Sequence, residues 1–248
     1  MKILKLKNLI VVTLLTTFLA CSEEDPIIEY ITIVETVTET VTETVETVVE
    51  INPYADSTLE GNVTSDLTLD ASKIWLLKGR VAVTEGVTLT IPAGTIIKAA
   101  AGTGADASTL IIARGSKLNA LGTKDSPIIF TSESDNILLG GSYPSNGPSL
   151  NIESRGLWGG VIVLGKAPCS FAGDVTELQI EGIPTSDKNG LYGGTDVTDN
   201  SGTIQYISIR HGGAEIGEGN EINGLTLGGV GSGTTIDHIE VIANVDDG

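Results

Sequence analysis

The sequence predicts an all-β chain whose body is a parallel β-solenoid, on three observations. Short apolar strands recur at matching offsets, glycines bound nearly every strand, and helical periodicity is scarce after Leu59. Residues 81–91 (VAVTEGVTLTI) align with residues 110–120 (LIIARGSKLNA) at a shift of 29, with Gly86 and Gly115 at the same offset. Both units close alike, in Thr95-Ile-Ile and Pro127-Ile-Ile-Phe130. Further on, residues 203–209 (TIQYISI) match residues 235–241 (TIDHIEV) at a shift of 32. Residues 160–165 (GVIVLG) and 224–229 (GLTLGG) add more short strands bounded by glycine.

Alternation gives these repeats a physical meaning. Stacked about 4.8 Å apart, Ile204, Ile207 and Ile209 would lie over Ile236, Ile239 and Val241 as an inward apolar ladder. Gln205 over Asp237, Tyr206 over His238 and Ser208 over Glu240 would face outward or turn a corner. A β-sandwich also has closely spaced strands, but it does not predict inward ladders at one offset.

At the N-terminus, Lys2, Lys5 and Lys7 precede an apolar run from Leu9 to Ala20. The run is short for a membrane span and has the basic front of a secretory signal over residues 1–20. It ends in Phe18-Leu-Ala-Cys21, which resembles a bacterial lipobox with Phe18 in place of the usual Leu. Cys21 is the expected acylation site, bearing chains such as palmitate, and two or more chains hold a protein stably on a bilayer. The competing reading is an ordinary signal peptide with Cys21 incidental. The acidic segment 21–27, with Ser22-Glu-Glu-Asp25, resembles a surface-export signal and points to the outer leaflet of an outer membrane.

Residues 28–58 form a stalk rich in Thr, Val and Glu, with no Lys or Arg. Val34, Val37, Val41, Val45 and Val48 make a helical seam, whereas β-branched content favours an extended strand. Residues 28–51 would reach about 36 Å as a helix and about 80 Å extended. Asp56-Ser-Thr58 resembles a short O-glycosylation motif. The solenoid is expected over residues 59–248. It stops after a strand at Asp246-Asp-Gly248 with no polar cap, so the chain is expected to continue beyond.

Composition narrows function. The formal charge is −18, and loss of the three leader lysines makes it −21, which argues against nucleic acid and anionic headgroups as partners. With Cys21 as the lipid site, Cys169 has no intrachain partner and no disulfide framework forms. No zinc spacing, P-loop or nucleophile elbow is present.

Several longer strings carry a resemblance. They are Gly156-Leu-Trp-Gly-Gly-Val-Ile-Val-Leu-Gly-Lys-Ala-Pro168, Ile180-Glu-Gly-Ile-Pro184, Tyr192-Gly-Gly-Thr-Asp196 and the run from Ile207-Ser-Ile-Arg-His-Gly-Gly213 to Asp246-Asp-Gly248. From about Trp75 onward the chain resembles a family of outer-membrane lipoproteins of Bacteroidetes-type bacteria and spirochaetes. The resemblance implies a right-handed parallel β-helix of pectin-lyase-like shape on a cell-surface lipoprotein. It implies no assigned reaction.

Residues 207–221 (ISIRHGGAEIGEGNE) gather an Arg, a His and three carboxylates among glycines. The structural reading makes Ile207 and Ile209 ladder positions, with Arg210 pairing to Glu215, His211 bonding a free carbonyl, and the glycines turning the chain. A cation reading recruits Glu215, Glu218, Glu221 and Asp237, with a second oxygen-rich loop at Asp196 and Asp199; Ca²⁺ would be the ion. Neither loop has the spaced Ca²⁺ pattern. A lyase reading casts Arg210, His211, Glu215 and Lys166 as base and charge stabilisers. Sparse cations and few sugar-stacking aromatics (Trp75, Trp158, Tyr143 and Tyr192) speak against it.

The expectation is therefore a lipid-anchored surface protein with a structural, adhesive or ligand-binding role, no catalytic residues and no required cofactor. Its partner would be a glycan or a surface protein, met through loops 100–108, 134–154 and 186–201. The alternative is a polysaccharide-active lyase or hydrolase.

Overall fold

The computed structural model describes residues 31–33, 47–49, 53–140, 150–173, 175–217, 220–245 and 247–248. The leader, Cys21 and the acidic segment after it lie outside the described residues. The chain divides into two compact units, Met1–Pro53 and Tyr54–Gly248. In the first, strand Ile31–Ile33 pairs antiparallel with Thr47–Val49. At these described residues the backbone is extended, as β-branched residues favour, and Val34, Val37, Val41 and Val45 of the helical seam lie outside the described residues.

The second unit begins a few residues before the expected boundary. Ser57 is buried, and the Thr58 hydroxyl donates to the Tyr54 carbonyl at 2.8 Å. Both hydroxyl residues of Asp56-Ser-Thr58 are thus built into the first coil, and a glycan on either would require that turn to open.

This unit is a parallel β-helix: one 12-stranded sheet, parallel at every pairing, wound into three faces. Face A stacks residues 62–63, 80–83, Thr109–Ile112, Val161–Leu164 and Leu225–Gly228. Face B stacks Leu67–Thr68, Thr88–Pro92, Lys117–Leu121, 202–205 and 235–237. Face C stacks residues 58–60, 74–77, Ile96–Ala99, Ile128–Ser132, 207–210 and 239–242.

The sequence ladders appear in this register. Ile204 sits on Ile236, Ile207 on Ile239 and Ile209 on Val241. Leu110 sits on Val81, and Leu118 on Leu89, at the shift of 29. On face C the column runs Trp75, Ile97, Phe130, Ile209, Val241. Each fully buried aliphatic side chain in such a column contributes about 1.5–3 kcal/mol, and this repetition holds the tube together without a disulfide. In the last coil the ladder residues Ile236, Ile239 and Val241 are only half-buried.

One alignment shifts. Ile96 pairs with Ile129 rather than Ile128, because the third coil takes extra residues in the turn at Gly122–Ser126. Reciprocal Thr123–Ser126 backbone bonds close that turn.

Corners differ in kind. Between faces B and C, Tyr206 and His238 turn the chain with φ of 48° and 52°, so one strand passes through the bend. This left-handed bend explains why the ladder steps by three residues and then by two. Their rings stack with centroids 4.1 Å apart, which offsets the cost of that backbone for non-glycine residues. In the coils beneath, the same corner spans residues 93–95 and 122–127, and the longest insertions lie at the other two corners.

Those insertions form a second layer. Outward residues of face A (Ala82, Ile111, Ile162 and Leu164) pack against Ala107, Ile183, Ala214 and Ile222 from the loops. Outward Ile96 and Ile129 of face C pack against Ile137. Beside them Lys98 is buried, and its Nζ donates to the Asp135 carbonyl at 2.5 Å. Burial pushes the Lys98 ammonium below the ordinary lysine range, partly offset by the Asp135 carboxylate.

Candidate functional site

The Arg-His stretch is a corner. Arg210 ends the face C strand, 3 % exposed. Its Nε donates to Ser208 Oγ at 2.8 Å, and that hydroxyl donates to Glu240 Oε2 at 2.5 Å. Glu240 Oε2 lies 3.9 Å from Arg210 Nη2, so the guanidinium ties two coils together. His211 follows with φ 63°, 2 % exposed, and its Nδ1–H donates to the Ser154 carbonyl at 2.6 Å. Ala243, after the Ile242 that pairs with Arg210, repeats the bend at φ 54°. The sequence expectation of a carbonyl partner for His211 is met. Glu240, from the next coil, supplies a counter-charge to Arg210.

The described carboxylates of the cation reading are Asp196, Asp199, Asp237 and Glu215, and the backbone pairs Glu215 with Glu221. Asp196 caps a turn, accepting from the Thr198 amide and hydroxyl. Asp199 is buried and accepts from Ser201 Oγ and the Gly231 amide. Asp237 is exposed on face B and lies 2.9 Å from His238 Nδ1. Glu215 is exposed on the short strand Glu215–Gly217. Glu218 and the Glu221 side chain lie outside the described residues, as does Tyr143. Among the described residues, no three His, Cys, Asp or Glu side chains gather as a metal would need.

Lys166 is likewise occupied, with Nζ 2.6 Å from Glu85 Oε1. That hydrogen bond and charge hold the Glu85 carboxyl below the usual carboxylate range. The expected stacking aromatics are structural. Trp158 is fully buried against Phe130, Trp75 donates its indole N–H to the Asp70 carbonyl, and Tyr192 meets Phe171 edge to face.

A cleft of about 280 Å³ opens instead above face A. Its floor is Ile162 with Thr226 in register beside it. Ile180 and Glu181 line it from the insertion between faces A and B, and Ile222 and Asn223 from the loop that leads into the last coil. Asp247 completes the lining. An apolar floor rimmed by an amide, a hydroxyl and two carboxylates suits a ligand with an apolar side and hydrogen-bonding edges. No Lys, Arg or His is among these lining residues.

Sequence reasoning missed this cleft. Its residues come from separate segments, and their only signal was that Ile180-Glu-Gly-Ile-Pro184 and Asp246-Asp-Gly248 stand in strings of the family resemblance.

No curated protein and no solved structure matches the chain. A pectate-lyase-like β-helix domain matches residues 61–248, which is the wound sheet from its first coil onward. On that match and this parallel three-faced winding, the chain belongs to the pectate-lyase-like β-helix domain family.

Proposed function

We propose that this is a lipid-anchored, cell-surface β-helix that binds a ligand in the cleft above face A and performs no reaction there. The carrying observation is the chemistry of that cleft: carboxylates, an amide and a hydroxyl over isoleucines, with no cationic side chain in its lining. A uronate-cleaving lyase needs a positive group to stabilise the charge that develops beside the carboxylate. Arg210 and His211 are buried in corner contacts, and Lys166 is paired. The ligand class that fits is a neutral glycan, or a surface-protein segment with hydroxyl or amino groups.

The test is purified protein with uronic-acid glycans, with and without Ca²⁺, followed by the absorbance of unsaturated products. None is expected. Product formation abolished by Arg210→Ala, with the fold intact, would replace binding by catalysis.

A hydrolase is the second reading, favoured by Glu181 and Asp247 lining one cleft, since glycoside hydrolysis uses paired carboxylates. Release of reducing ends from neutral glycans, lost in both Glu181→Gln and Asp247→Asn, would establish it.

The anchor rests on Phe18-Leu-Ala-Cys21 behind its basic, apolar leader. Metabolic palmitate labelling of wild type, absent from Cys21→Ser, is expected. Unlabelled wild type removes the anchor.

A further inference from the structure

Face B differs from its neighbours on the outside. Face A is roofed by insertions and face C is partly covered by the segment around Ile137. On face B, Thr68, Lys117, Leu121, Thr235 and Asp237 are exposed, and Thr88, Thr90, Asn119, Thr203 and Gln205 are half-buried. Register places one outward residue per coil in a single column. Thr68 lies beside Thr90, Thr90 beside Asn119, Asn119 beside Thr203, and Thr203 beside Thr235. At the strand spacing this line is about 19 Å long.

Two features make the column unusual. Each member both donates and accepts hydrogen bonds, and none carries a charge. The same strands spend their backbone groups on the ladder, while side chains elsewhere on the helix, such as Thr58, Thr84, Thr95 and Thr131, are bonded within the chain. Along the edge of this face run Gln205 and Asp237, and then the stacked rings of Tyr206 and His238 at the corner.

We propose that the outer side of face B is a second binding surface, distinct from the cleft, for an extended neutral polysaccharide lying along the helix axis across the coils. Uncharged donor–acceptor side chains match sugar hydroxyls, which also donate and accept. Their regular spacing suits a polymer that repeats about once per pyranose ring. The ring pair at the edge offers an apolar contact to a sugar face, and a net charge of −18 disfavours polyanions.

Mobility in native gels containing hydroxyethylcellulose or glucomannan tests this, with polygalacturonate as the anionic comparison. Retardation is expected in the two neutral gels and not in the third. Thr90→Val with Thr203→Val keeps shape and strand preference but removes two hydroxyls, and should weaken binding about tenfold. Thr68→Val with Thr235→Val, at exposed positions, does the same should the first pair fail to fold. The valine pairs should weaken retardation by the same factor in a Glu181→Ala background, where the cleft is already impaired, which separates this surface from the cleft reading. Absence of retardation, equal retardation by polygalacturonate, or indifference to both valine pairs overturns the proposal. So does a dimer on size exclusion that either valine pair breaks, since a second copy would then occupy the face.

Discussion

Replacing Trp158 by alanine is expected to cost about 3–5 kcal/mol of folding stability, the range for a large aromatic removed from a packed core. The side chain is fully buried and stacks on Phe130 with ring centroids 6.4 Å apart and planes 15° from parallel. Its indole N–H donates to the Arg210 carbonyl at 2.7 Å. The residue therefore joins the apolar column of face C to the backbone at the Arg-His corner. Trp158→Phe should retain much of the packing yet strand that buried carbonyl, at about 1–3 kcal/mol. Urea unfolding reads both. A Trp158→Ala midpoint near wild type would show that the corner is not held by this contact.

Gly202→Ala is expected to be nearly as damaging for a different reason. Gly202 has φ 110°, and an added Cβ would stand 2.2 Å from the Leu118 carbonyl oxygen of the coil beneath. The obstacle is backbone, and backbone in a paired sheet has little room to yield. Strained φ alone costs about 1–3 kcal/mol, and separating two coils adds to it. A fall of about 10 °C or more in melting temperature is anticipated for a unit of this size. Gly61, also at positive φ but with nothing within 4 Å of an added Cβ, is the control: Gly61→Ala should cost only the backbone strain.

Much of the winding was legible in the residues because the helix repeats itself. Ile204, Ile207 and Ile209 over Ile236, Ile239 and Val241 needed only a matching pattern, and the strand register sets each pair side by side. The same logic failed wherever a coil changed length. Residues 160–165 and 224–229 do pair, but the insertion between Val161–Leu164 and Gly202–Arg210 hid their relation. Corner residues Tyr206, His211, His238 and Ala243 hold positive φ without being glycine, so no breaker marked them. Outward Ile111 and Ile162 are buried by loops with no periodicity of their own, and that second layer could not be read from strand alternation. The cleft belongs to this illegible part, being made where distant insertions meet. The sequence puts Arg210 at the end of the ladder strand and offers Glu215 as its partner, whereas the inter-coil tie to Glu240 comes from the register of Ser208 over Glu240.

The bend shared by Tyr206 and His238 has a consequence for how such a chain can diversify. A turn made by one residue, whose ring rests on the ring of the turn below, has no slack. Adding or deleting a residue there would shift every side chain after it from inside to outside. The opposite edges already hold detours of many lengths without disturbing the register of the coils. In these two coils length variation is thereby steered to the side where the cleft is built, whereas in the coils beneath the same corner spans residues 93–95 and 122–127.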